Sequence, residues 1–153
     1  DSEEEKVAKD YISSGKADVT LVIVDATCLE RNLNLVYQIM NLTDKVIVCV
    51  NLLDEARKKG IKINLKKLST ILGVPVVGTI ARKKKTLQNL MVTTQKVCTN
   101  AISPTPNRIE ECITDKDFLE KVFAKANEIT SEVCTIENEN YNERDKKIDK
   151  ILT

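Results

Sequence analysis

Residues 18–26, DVTLVIVDA, decide the fold. The run is β-branched and apolar with almost no polar alternation, the pattern of a strand in a parallel sheet with both faces covered. Residues 45–50, KVIVCV, repeat the pattern and stop at Asn51, and residues 74–77, VPVV, give a short third strand that Pro75 can only begin. Between the first two runs, Thr27 and Glu30 have the spacing of a capping box, and Leu29, Leu33, Val36 and Met40 recur at helical intervals as far as Leu42. Between the second and third, Gly60 breaks a charged segment and Asn64 caps a helix with Leu65, Leu68, Ile71 and Leu72 inward. Gly73 and Pro75 close that helix. Residues 86–98 then read as a helix burying Leu87, Leu90, Met91 and Val97. Strand and helix alternate three times, which predicts an α/β fold: a parallel sheet of about three strands with right-handed crossovers.

On the N-terminal side, Ser2 and Glu5 form a capping box for a helix over residues 2–13. Val7, Ala8, Tyr11 and Ile12 fall on one stripe of it, and Gly15 ends it. On the C-terminal side the rhythm fades after Val97. Pro104 and Pro106 mark residues 99–113 as a linker or short turns. Thr114 and Asp117 cap a helix through about residue 134, with Phe118, Leu119, Val122, Phe123, Ala126, Ile129 and Val133 on one face. Residues 137–147 are almost wholly polar and predict a mobile linker, after which Ile148, Ile151 and Leu152 can seed a terminal helical turn.

Composition narrows the function. Twenty-four Lys and Arg against 23 Asp and Glu leave a net charge of +1, and aromatics are 3%, so neither a basic footprint nor a base-stacking platform for nucleic acid is present. The five cysteines (Cys28, Cys49, Cys98, Cys112, Cys134) are odd in number and form no CxxC pair. With no histidine in the chain, neither a disulfide framework nor a metal site is expected. No apolar run is long enough to span a bilayer and no secretory leader is visible, so an intracellular chain is expected. It opens on Asp1 and Ser2 at a helix cap without an initiator methionine, which reads as a cut.

In open parallel sheets ligands sit beyond the carboxyl ends of the strands. Three junctions lie there: Asp25–Thr27, Asn51–Asp54 and Gly78–Arg82. A carboxylate at Asp54 can accept from N1–H and from the amino group of guanine, a donor pair that adenine does not offer on that edge. Asn51 would brace the loop and reach the base, while backbone N–H groups around Ala81 would meet the guanine O6 from the other side. The plainer alternative is a strand-end turn in which Asn51 and Asp54 cap backbone groups. The basic run Arg82–Lys85 reads mainly as a solvated loop, with contact to nucleotide or acidic lipid as the functional alternative.

Residues 18–90 closely resemble the cytoplasmic GTP-binding domain of the bacterial ferrous-iron transport protein B (FeoB) family. The resemblance rests on the strand ending in VDA, the LERNL at Leu29–Leu33, the Asn-x-x-Asp of Asn51 and Asp54 followed by Glu55 and Ala56, and the Thr-x-Ala-Arg of Thr79–Arg82. The opening SEEEKVAKDYI looks like the helix after switch II, and residues 142–152 look like the approach to a first transmembrane helix. The resemblance implies a three-layer sheet of P-loop GTPase type, of which residues 1–98 would be the C-terminal half, lacking phosphate loop and switches. Residues 99–136 would be a shortened helical domain and 137–153 a polar juxtamembrane linker. It implies a guanine-base site of Asn51, Asp54, Thr79, Ile80 and Ala81 and no catalytic or metal-binding residue. GTP or GDP would be the ligand, held weakly or not at all by this piece, with Mg²⁺ required only in the parent protein. The transmembrane part of the same transporter would be its partner, on the cytoplasmic side of the bacterial plasma membrane. The parent would be a GTPase regulating iron uptake.

Two departures carry weight. No glycine fits the phosphate-loop pattern GxxxxGK followed by Ser or Thr, and no Asp-x-x-Gly is present, so the chain alone is expected to be inactive in hydrolysis. Ile80 stands where serine is frequent, leaving recognition there to the backbone, and Leu52 replaces a lysine common in other GTPases. A non-hydrolysing interaction module derived from a G domain, or another bacterial small GTPase, are the alternatives. The balanced charge opposes the RNA-binding appendage usual in the latter. Finally, VTLVIV would lie beside an absent strand, which predicts an exposed edge and association through it.

Overall fold

The run over residues 18–26 becomes strand β1 (Thr20–Asp25) in the computed structural model, which describes residues 2–110 and 114–137. A 3-10 turn (Ala26–Cys28) leads into α2 (Leu29–Met40), preceded in the chain by α1 (Glu3–Ser13). Then follow β2 (Val46–Asn51), α3 (Leu53–Lys58), β3 (Ile61–Ile63), α4 (Leu65–Leu72), β4 (Val76–Gly78), α5 (Lys84–Cys98), α6 (Asp115–Val133) and β5 (Cys134–Ile136). The main sheet is parallel in the order β1-β2-β4, and β3 pairs antiparallel with β5 in a second, two-stranded sheet. No helix among the described residues is long and apolar enough to cross a membrane. Cys112 and the apolar positions Ile148, Ile151 and Leu152 lie outside the described residues.

Alternation along the strands splits the main sheet into two faces. Val22, Val24, Val46, Val48 and Val50 face a core completed by Leu33, Val36, Tyr37 and Met40 of α2 and by Leu68 and Leu72 of α4. Val122, Ala126, Ile129 and Val133 of α6 close it, all nearly inaccessible to solvent. Ile47 and Cys49 are buried on the other face, and α5 packs beside β4. Helix caps follow the sequence where a short polar side chain precedes the helix. Ser2 accepts from the Glu5 N–H at 3.2 Å, Asn64 from Lys67 at 3.0 Å and Thr114 from Asp117 at 3.1 Å.

Several sequence expectations need correction. Thr27 does not cap α2: its N–H and hydroxyl both donate to Asp25 Oδ1, at 2.8 and 2.7 Å, so Asp25 caps the intervening 3-10 turn. β1 is not covered on both faces, since Leu21 and Ile23 are 40% and 62% exposed. On α5 only Val97 is buried, while Met91 is 70% exposed and Leu87 is open to solvent as well. Val7 and Tyr11 of α1, and Leu119 and Phe123 of α6, are likewise exposed despite lying on apolar stripes. A helical stripe records that a face needs covering, and these positions are left uncovered among the described residues. α3 and the β3–β5 pair were not anticipated.

Candidate functional site

The register of the sheet assembles the three junctions. Asp25 lies opposite Asn51, and Val50 opposite Gly78, so the chain leaves all three strands along one edge. After β2, Leu52 takes a left-handed conformation (φ 63°), an uncommon one for a branched apolar side chain. It turns the backbone abruptly enough for α3 to begin at Leu53 and set Asp54 and Glu55 in its first turn, where the helix dipole favours negative charge. Gly78 permits this approach: a Cβ there would stand 2.3 Å from Leu53 Cδ1 and 2.7 Å from Leu65 Cδ1.

Thr79 ties the second junction to the third. It is 2% exposed, its N–H donates to the Val50 carbonyl at 2.8 Å, and its hydroxyl donates to Asn51 Oδ1 at 3.0 Å. Because that proton is committed, the Cys49 thiol, 3.2 Å from the same oxygen, is the donor of the remaining contact. Beyond Thr79 the loop is closed by Thr86, whose hydroxyl accepts from the Ile80 N–H at 3.0 Å and reaches the carbonyls of Ile80 and Lys83. Ile80 is buried, its side chain serving the core, and Ala81 is exposed at the loop's tip. Asn51 at the end of β2 and Asp54 in the first turn of α3 therefore adjoin the loop of Thr79, Ile80 and Ala81, joined to it by the Thr79–Asn51 side-chain hydrogen bond.

Arg82, placed by the sequence in the third junction and in a basic run but outside the base site, makes a contact that the sequence did not show. Lys83, Lys84 and Lys85 are exposed, as a solvated loop requires, but Arg82 reaches across to Asp54, Nη2 to Oδ2 at 2.8 Å. That hydrogen bond is the main reason the Asp54 carboxyl is held below the usual carboxylate range. The available signal was position alone: a basic side chain at one junction and an acidic one at its neighbour. Asp25 is also held low, first by the Thr27 hydroxyl and then by the Thr27 N–H, so the first junction presents a carboxylate too.

Comparison with known proteins places this arrangement. The family model described as ferrous iron transport protein B matches residues 1–94. The Fe(2+) transporter FeoB of Helicobacter pylori (strain ATCC 700392 / 26695) is 38% identical over 152 residues, which is 97% of this chain and 24% of the transporter. The chain thus spans about a quarter of the length of this curated relative. Among solved structures, the FeoB G-domain from Methanococcus jannaschii is 39% identical with a TM-score of 0.61, covering 65% of this chain and 62% of that one. The cytosolic domain of the T. maritima FeoB iron transporter in a GDP form is 33% identical with a TM-score of 0.60, covering 72% of this chain and 42% of that one. The parallel three-stranded sheet with its flanking helices is thus the fold of a P-loop GTPase G domain. With the family model matching well over half of its residues, the chain belongs to the ferrous iron transport protein B family and carries G-domain sequence of that family.

Proposed function

We propose that this chain supplies the guanine-base-recognition part of the GTPase domain of a FeoB-type ferrous-iron transporter. The observation that carries the reading is the hydrogen bond from Thr79 to Asn51, which fixes the loop after β4 against the loop that presents Asp54. In this reading Asp54 accepts from guanine N1–H and the 2-amino group, Asn51 of the same junction braces the loop and reaches the base, and backbone N–H groups from Thr79 through Ala81 receive O6 from the other side. Bonds to a charged acceptor contribute roughly 1.5–3 kcal/mol each, sufficient for guanine to be preferred over adenine. The T. maritima relative has been obtained in a GDP form, which supports a guanine nucleotide as the ligand.

Residues 1–98 form the base-reading half of the G domain, 99–136 a short helical appendage and 137–153 a polar link toward the transmembrane part of the same transporter, on the cytoplasmic side of the membrane. In the whole protein, GTP binding and hydrolysis regulate iron passage. With no phosphate loop among its 153 residues, the chain alone holds GDP or GTP weakly and does not hydrolyse GTP; Mg²⁺ serves the parent protein only. The decisive experiment is Asp54→Asn in the full-length transporter, with GTP and xanthosine triphosphate titrated in parallel. An amide donor pairs with the 2-oxo group of xanthine, so GTP binding weakens while xanthosine triphosphate binding gains on it. An unchanged ratio of the two affinities removes Asn51 and Asp54 from the site.

A further inference from the structure

The Arg82–Asp54 pair has a chemical property that a generic ion pair lacks. The edge of guanine that a carboxylate reads, N1–H, C2 and the 2-amino group, is a guanidine fragment, and the arginine side chain ends in a guanidinium. Both present parallel N–H donors to a carboxylate. Arg82 donates to Oδ2 of the carboxylate proposed to read guanine, from the neighbouring loop 28 residues along the chain. Its side chain is 77% exposed, against 21% for that of Asp54, so the guanidinium is the more solvent-accessible member of the pair.

Resting on the base-recognition reading above, we infer that Arg82 is an internal competitor for Asp54. It pairs with the carboxylate as a mimic of the guanine edge and is displaced when the base binds. The loops themselves need not move, because Thr79, Asn51 and Thr86 fix them independently of Arg82. Release of an exposed pair costs little, so the competitor lowers guanine affinity by about two- to five-fold rather than closing the site. It thereby sets how readily nucleotide exchanges without altering which base is chosen.

The test is GDP titration of the 153-residue chain at millimolar nucleotide, followed by NMR on the amides of Asn51–Glu55 and on the Arg82 guanidinium. Wild type is compared with Arg82→Gln, Arg82→Lys and Asp54→Asn, with ADP as the control nucleotide. Arg82→Lys keeps the positive charge near the phosphates and removes the fork. Arg82→Gln removes both, and the exposure of the side chain leaves folding intact. The expected result is GDP affinity about two- to five-fold higher in Arg82→Lys, with the wild-type guanidinium signal released by GDP and unmoved by ADP. Equal or weaker GDP binding in both Arg82 variants, with Asp54→Asn still impaired, overturns the competitor and leaves base recognition standing. GDP binding indifferent to Asp54→Asn overturns base recognition and the competitor with it, and a wild-type guanidinium signal unmoved by millimolar GDP overturns the competitor alone.

Discussion

Replacing Thr79 with valine isolates the hydrogen bond on which the base-recognition reading depends. Valine reproduces the shape of threonine, so no cavity opens at this 2% exposed position, but the hydroxyl that donates to Asn51 Oδ1 at 3.0 Å and meets the Cys49 thiol at 3.2 Å is gone. Loss of one net hydrogen bond costs about 1 kcal/mol, and a partly buried acceptor left unsatisfied adds about 1–3 kcal/mol. Burying a methyl in place of the hydroxyl returns about 0.8 kcal/mol. The expected net loss is about 1–3 kcal/mol, equivalent to about 2–12 °C in the thermal midpoint of a domain this size. Urea denaturation followed by circular dichroism measures it, and a double-mutant cycle with Asn51→Ala separates the pair's own contribution from the rest. Guanine affinity should fall in parallel, because Asn51 loses its brace. A valine variant as stable as wild type, or a Thr79–Asn51 coupling below about 0.3 kcal/mol, refutes the claim that this contact fixes the two loops.

Three further predictions follow from the surrounding structure. Tyr37 is 1% exposed with no partner for its hydroxyl among the described residues, so Tyr37→Phe should stabilise the fold by about 1 kcal/mol in chemical denaturation. Burial, with Glu128 adding to it, pushes the Tyr37 hydroxyl up to about 12. An unfolded tyrosine ionises near 10, so wild-type stability is intact below about pH 10 and is lost toward pH 12. The phenylalanine variant should lose less over that interval, and identical alkaline profiles would contradict the assignment. Gly73→Ala should cost at least about 3 kcal/mol: φ is +76°, a Cβ would stand 2.1 Å from the Thr105 carbonyl oxygen, and the amides of Thr105 and Asn107 would be driven off the Gly73 and Leu72 carbonyls. A loss under about 1 kcal/mol would show that residues 104–107 yield freely. β1 has one partner strand and exposes Leu21 and Ile23, so the isolated chain should self-associate at micromolar concentration. Sedimentation of a folded monomer with protected amides from Val19 to Val24 would rule that out.

The three parallel strands were legible because β-branched apolar runs at this spacing admit few other readings, and the positions of Asn51, Asp54 and Thr79 followed from where those runs stop. What the sequence concealed has physical reasons. α3 is six residues long and β3 and β5 three each, too short for a periodic signal, and β3 finds its partner some seventy positions later. Thr27 carries a capping residue type, but Asp25, two positions earlier, captured its donors first. The apolar stripes of α1 and α5 marked real faces without saying whether a partner stood against them. Arg82 sat inside a basic run whose other members are solvated, and only the folded register brings it to Asp54.

The short β3–β5 ladder gives the chain a mechanical address. At the end of the ladder the Glu137 N–H donates to the Gly60 carbonyl at 2.8 Å, and Ile136 lies opposite Ile61. A tensile load arriving from that end therefore bears on the Glu137–Gly60 bond before the rest of the ladder. Gly60 stands just past the last residue of α3, the helix whose opposite end carries Asp54. A pull on Glu137 is therefore passed, through the Gly60 carbonyl, to the turn that follows this six-residue helix.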